Sequence, residues 1–157
     1  MKDLHKKIVD EILPRLATKL KKEGIISDHD NEQIKIENLP KIRINPDRIL
    51  HLSNGKNILV EVVNPEEPKR FIGELVYAKI LIHFQRITAA LFFVLNPEKQ
   101  GRHERSLSQI HALSFLQLPK GSRTVTWPSE EHKAYRTLKD FVERFTIRSV
   151  QKQKSCF

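Results

Sequence analysis

The sequence holds one cysteine, one tryptophan and five glycines in 157 residues, and each scarcity removes a class of protein. Cys156 has no second cysteine with which to close an intramolecular disulfide, and a lone thiol suits a reducing compartment. No staple is required, because a chain of this length buries roughly 68–70% of its unfolded surface. Five glycines and eight prolines argue against collagen-like and low-complexity chains. Long hydrophobic runs are missing too: the longest, Ile87 to Leu95, is about half of what a membrane-spanning helix needs. No apolar segment follows the basic start to act as a secretion leader. Gly-x-Gly-x-x-Gly, the Walker lysine loop and the Gly-x-Ser-x-Gly elbow are all absent, which leaves nucleoside triphosphatase and serine hydrolase readings without support. The seven histidines show no metal-ligand spacing, so zinc is not expected. The expectation is one soluble, cytoplasmic domain over residues 1–150, with a disordered tail over 151–157.

Acid is scarce relative to base. The chain carries 28 Lys+Arg against 19 Asp+Glu, a net charge of +9. Residues 1–97 have 16 basic and 13 acidic side chains, whereas residues 98–157 have 12 and 6. The excess points to an anionic partner such as nucleic acid, or to a solvated basic surface.

Periodicity organises the rest. Apolar residues recur at three- and four-residue steps from Leu4 to Glu23, the stripe of an amphipathic helix. Pro14 should kink or divide it near Ile12, and Gly24 should stop it. Ser27 to Gln33 reads as a loop, and Ile34, Ile36, Ile42 and Ile44 as one edge strand interrupted at Leu39-Pro40. Arg48 to Leu52 and Asn57 to Val63 flank the turn-rich Ser53-Asn54-Gly55-Lys56, the pattern of a hairpin. Ile58 to Val63 is apolar on both faces except at Glu61, so the strand should be central and its carboxylate paired, protonated or metal-bound. A helix opened by Pro65-Glu66-Glu67-Pro68 leads to Ile87 to Leu95, a second strand apolar on both faces. Strand, helix, strand implies parallel pairing. A helix around Ile110 and Leu113, a short strand over Arg123 to Trp127 and a last helix from Ser129-Glu130-Glu131 complete the chain. The class is α/β, a mixed central sheet flanked by helices with a C-terminal helical extension.

Asp47, after Pro46, and Glu61 stand on neighbouring strands, and two carboxylates joined across a hairpin suit a hard divalent cation. An odd loop centred on Gly55 pairs residue i with residue 110 − i and places Asp47, Ile49, Glu61 and Val63 on one face. An even loop would separate the two acids. Glu61 could instead pair with a buried Arg48 or Arg86.

The order helix, strand, hairpin with Pro46-Asp47, then Ile58-Leu59-Val60-Glu61-Val62-Val63, helix and apolar strand resembles the PD-(D/E)XK nuclease superfamily. The resemblance spans about Leu4 to Leu95. It implies a restriction-endonuclease-like α-β-β-β-α-β core and a nuclease dependent on Mg2+ or Mn2+, with nucleic acid as partner, DNA ahead of RNA, and it leaves a homodimer open. By position, Asp47 and Glu61 would be the metal ligands and Glu11 the glutamate of the first helix. The family's lysine, which helps activate the attacking water, is replaced by Val63. Lys69 or Arg70 is the nearest substitute, and Glu74 could add a third carboxylate. Lys133, Arg136, Lys139 and Arg144 of the last helix would contact phosphates. Without the lysine, the alternative is a degenerate module that binds nucleic acid or a protein without cleaving.

Overall fold

The computed structural model describes residues 2–96 and 102–155. Cys156 lies outside them. The chain begins as an amphipathic helix in three pieces: α1 (Lys2–Lys7), a π-helical turn Ile8–Ile12, and α2 (Leu13–Lys22). The wide turn comes immediately before Pro14. Proline lacks an N–H and clashes with a regular preceding turn, and the Leu13 N–H reaches back to the Ile8 carbonyl, so the division expected near Ile12 is present as a local widening. Gly24 then leaves the helix at φ +74°, a conformation glycine adopts without strain.

Five strands form a mixed sheet in the order β1-β4-β5-β6-β7. They are β1 (Asp28–Asp30), β4 (Arg48–His51), β5 (Asn57–Val63), β6 (Ala89–Val94) and β7 (Arg123–Thr126). β1 and β4 run antiparallel, as do β4 and β5, while β5, β6 and β7 are parallel. Helix α3 (Pro68–His83) makes the crossover between β5 and β6, and α4 (Arg102–Gln117) that between β6 and β7. The last helix, α5 (Glu131–Ser155), continues past residue 150, where the tail was expected.

Two expectations fail here. Asp28–Asp30 is an edge strand and not a loop: its three polar residues carry no apolar signature, and it is held by pairing with β4 and by its side chains. Ile34 to Ile44 is not one interrupted strand but a separate hairpin, β2 (Ile34–Ile36) and β3 (Leu39–Ile44). The chain reverses at Glu37-Asn38, ahead of the proline that was expected to break a straight strand.

Strand parity sorts the core into two layers. Leu50, Ile58, Val60, Val62, Leu91 and Phe93 pack under α2 and α5. Ile49, Leu59, Val63, Ala90, Phe92 and Val94 pack under α3, α4 and the β2–β3 hairpin. Ile58 to Val63 of β5 and all of β6 are buried on both sides, as a parallel pair covered by helices requires. Among the described residues no helix is long and apolar enough to cross a membrane.

One edge of the sheet carries a pH-sensitive connection. His51 on β4 bonds Asp30 on β1 through Nε2 at 2.5 Å and Asn57 Oδ1 through Nδ1 at 2.8 Å. The Asn57 amide donates to the Arg86 carbonyl at 3.2 Å, which fixes its oxygen toward the imidazole. Both ring nitrogens therefore face acceptors, and the cation satisfies both. Burial draws the His51 pKa down, but the bonds to Asp30 and Asn57 outweigh it and the net shift is upward. A raised histidine stabilises fully below its unfolded pKa of about 6.5 and loses that contribution as pH rises through the folded value. With both side chains about a third open to solvent, the step should be about 0.5–1 kcal/mol. In thermal melts from pH 5.5 to 8.5 the wild type should lose about that much more stability than Asp30→Asn, which keeps every other titrating group.

Candidate functional site

The β4–β5 hairpin determines where the two acids meet. Arg48 pairs with Val60, Ile49 with Leu59, Leu50 with Ile58 and His51 with Asn57. The turn is thus centred on Asn54, one residue before the expected Gly55, and Gly55 takes φ +85° within it. Parity is preserved, so the shared face is preserved. The same register extended by one residue sets Asp47 directly opposite Glu61. The Asp47 N–H points at Glu61 Oε1 across 3.4 Å, and the Val62 N–H donates to Asp47 Oδ2 at 2.8 Å.

A third acid comes from α3. Arg70, Gly73, Glu74 and Tyr77 follow the i, i+3, i+4, i+7 spacing of one helical stripe, and all four line an open pocket with Asp47, Glu61, Arg43, Ile44, Asn45 and Leu59. The pocket holds about 420 Å³. Glu74 Oε1 lies 3.5 Å from Arg70 Nε, whereas its Oε2 is buried without a hydrogen-bond partner. Arg70 also approaches Glu67 at 3.6 Å.

Crowding three carboxylates into a half-closed space changes their acidity. Burial, followed by the charges of Asp47 and Glu74, pushes the Glu61 carboxyl well above the usual carboxylate range. Burial and Asp47 raise Glu74 to about 8, against the lowering pull of Arg70. The cluster lacks positive charge at its centre. Asp47 and Glu61 suit a magnesium ion, which commonly takes one or two carboxylates and keeps several waters. The orphaned Glu74 Oε2 is an acceptor left over to hold such a water. Among the described residues no set of three or more His, Cys, Asp or Glu side chains is grouped closely enough to chelate an ion directly.

The alternative of a buried ion pair for Glu61 is not what the structure contains. Arg48 alternates onto the opposite face of the sheet by strand parity, and Arg86 donates to the Lys35 carbonyl at 3.3 Å. Of the two substitutes for the missing lysine, Lys69 is exposed and outside the pocket, while Arg70 lines it. Glu11 is exposed on the π turn, in the layer that covers the other sheet face. His5 is the side chain of the first helix that reaches the strand end: its Nε2 lies 2.9 Å from the Val62 carbonyl. Val63 is buried in the apolar layer with Phe71.

The four cations of α5 lie in the layer opposite the carboxylates. That helix buries Ala134, Leu138, Phe141, Val142 and Phe145 against the α2 side of the sheet. Lys133 is 3.7 Å from Glu130, Arg144 lies over the Phe141 ring, and Arg136 is exposed. Charge counting located the basic half of the chain without indicating its side of the sheet. Arg43, Asn45, Tyr77 and His5 were missed by sequence reading, although the stripe from Arg70 to Tyr77 was available as a polar period on a helix. Comparison with family models, with curated proteins and with solved structures gives no match.

Proposed function

We propose that the chain is a divergent metal-dependent nuclease of PD-(D/E)XK type, with Asp47 and Glu61 as ligands for magnesium or manganese. The observation that carries this reading is the meeting of Asp47, Glu61 and Glu74 in one pocket flanked by Arg43 and Arg70. The β4–β5 hairpin followed by α3 crossing to the parallel strand β6 supports it, because the resemblance implies that part of the arrangement, although the strand it implies at Ile34–Ile44 stands outside the main sheet.

Hydrolysis of a phosphodiester requires water to attack phosphorus while the sugar oxygen departs with its bonding electrons. A divalent ion held here would offset phosphate charge and lower the pKa of a bound water. Arg43 and Arg70 would hold phosphate oxygens by charge-assisted hydrogen bonds. In its ionised form, populated in the metal-free protein as pH rises through about 8, Glu74 would accept a hydrogen bond from the attacking water through its unpartnered Oε2. Arginine stays protonated, so Arg70 replaces the charge of the missing lysine and not its capacity to take a proton.

A second reading is favoured by one observation, the apolar burial of Val63: a module that binds nucleic acid or a protein partner and does not cleave. Labelled single- and double-stranded DNA and RNA, incubated with Mg2+, Mn2+ or chelator, distinguish the two. Cleavage that needs metal and falls about 10²–10³-fold in Asp47→Asn is the expected result. Binding without cleavage, equal in wild type and Asp47→Asn, would replace it with the second reading.

A further inference from the structure

We propose that the β2–β3 hairpin is a phosphate-binding ribbon along which a nucleic-acid duplex is led to the carboxylate pocket. The proposal rests on the pocket being a phosphodiester site, and it assigns the backbone contacts to a different surface from α5.

The hairpin has an apolar and a basic side. Ile34 and Ile44 are paired across it, and with Ile36 they pack into the layer under α3. The adjacent pair, Lys35 and Arg43, is directly opposed and exposed. Like charges directly opposite each other destabilise an antiparallel pair. An ion pair to either is not found among the described residues, nor for Lys41, exposed in the same strand. Residues 34–44 therefore carry three cations against one acid, Glu37. A repulsive pair of this kind is relieved when an anion lies across it.

The ribbon is anchored and correctly placed. Arg86 donates to the Lys35 carbonyl at 3.3 Å, and the Gln33 side-chain amide donates to Asn45 Oδ1 at 2.9 Å across the hairpin base. Arg43, Ile44 and Asn45 run from the hairpin into the pocket wall beside Asp47. The cations thus share a side of the sheet with the carboxylates, which those of α5 do not. A two-stranded ribbon fits the major groove of B-form DNA, about 12 Å wide, and the duplex presents one phosphate charge per ~1.7 Å of axis. Duplex DNA is the occupant that matches both width and charge.

The test is the salt dependence of binding, measured by fluorescence anisotropy in chelator with a labelled 30-base-pair DNA and with one of its strands. Lys35→Gln/Lys41→Gln leaves Arg43 and the pocket intact, and Arg136→Gln/Lys139→Gln is the matched α5 control. Loss of two phosphate contacts should lower the slope of log K against log salt by about 1.8, so that between 50 and 200 mM salt the variant loses about 12-fold less affinity than the wild type. The control should keep the wild-type slope, and duplex should bind more tightly than the strand. A wild-type slope in the hairpin variant, or a reduced slope only in the α5 control, would overturn the proposal while leaving the nuclease reading in place. Preference for the single strand would overturn the duplex assignment. A wild type that binds neither probe at low salt would remove the functional reading itself.

Discussion

Glu61→Gln is expected to stabilise the metal-free protein at pH 8 by about 1–2 kcal/mol, a rise of roughly 2–8 °C in melting temperature, and to reduce metal-dependent cleavage by about 10²–10³-fold. Buried polar residues more often lose stability on substitution, and here the sign reverses for a physical reason. Glu61 is buried opposite Asp47 and near Glu74, and those two charges, added to burial, raise its pKa well above the ordinary value of 4.5. A carboxyl raised on folding contributes its full stability below the unfolded pKa and loses it as pH climbs toward the folded value. Glu74 does the same, between its ordinary value and about 8. The wild type should therefore weaken from pH 5 to pH 8, and Glu61→Gln should lack much of that decline. Its amide keeps the shape of the side chain, can still accept from the Asp47 N–H and carries no charge to repel Asp47 and Glu74. Differential scanning fluorimetry at the two pH values measures the effect. A variant less stable than wild type at pH 8 would make Glu61 a structural residue.

Val63→Lys is expected to raise the cleavage rate about 10- to 100-fold while costing about 1–3 kcal/mol of stability. Val63 follows Glu61 by two residues on the same face of β5, at 2% exposure. It borders Phe71 and a narrow cleft shared with Glu67, Arg70 and Glu74. A lysine there must disturb apolar packing to extend its stem, but its ammonium can reach carboxylates in that cleft, including the orphaned oxygen of Glu74. The long flexible stem permits this where a shorter cation would be trapped among aliphatic side chains. Single-turnover cleavage with Mg2+, paired with a melting curve, separates the two effects. A folded variant with an unchanged rate would mean that the site takes no help from a cation on β5.

How much of this was legible in the sequence depends on what each segment's partners are. Ile58 to Val63 and β6 declare themselves by being apolar at every position but Glu61, because burial on both faces leaves no room for alternation. The face shared by Asp47 and Glu61 hung on loop parity, which the sequence left open; the observed register is the odd one, and a one-residue shift in the centre of the turn did not disturb the shared face. β1 was invisible because Asp28, His29 and Asp30 are held by pairing and side-chain bonds and not by apolar burial. The β2–β3 reversal was hidden for a different reason: Ile34, Ile36, Ile42 and Ile44 alternate in either topology, and only pairing decides where the chain turns. Placement of charge was the least legible quantity. Lys133, Arg136, Lys139 and Arg144 were attractive because their half of the chain is the more basic, but a helix faces whichever layer its apolar stripe requires, and that stripe took α5 to the far side. Arg43 and Arg70, both from the less basic half, are the cations that line the pocket with the acids.

The central claim is that the Asp47–Glu61 pair holds a divalent cation, and manganese titrated into the chain at pH 8, followed by its own paramagnetic resonance signal, reads this without reference to any substrate. One bound ion per chain in the wild type, displaced by excess Mg2+ and lost in both Asp47→Asn and Glu61→Gln, is the expected result. Binding that survives unchanged in both variants, or no binding by the folded wild type, would contradict it.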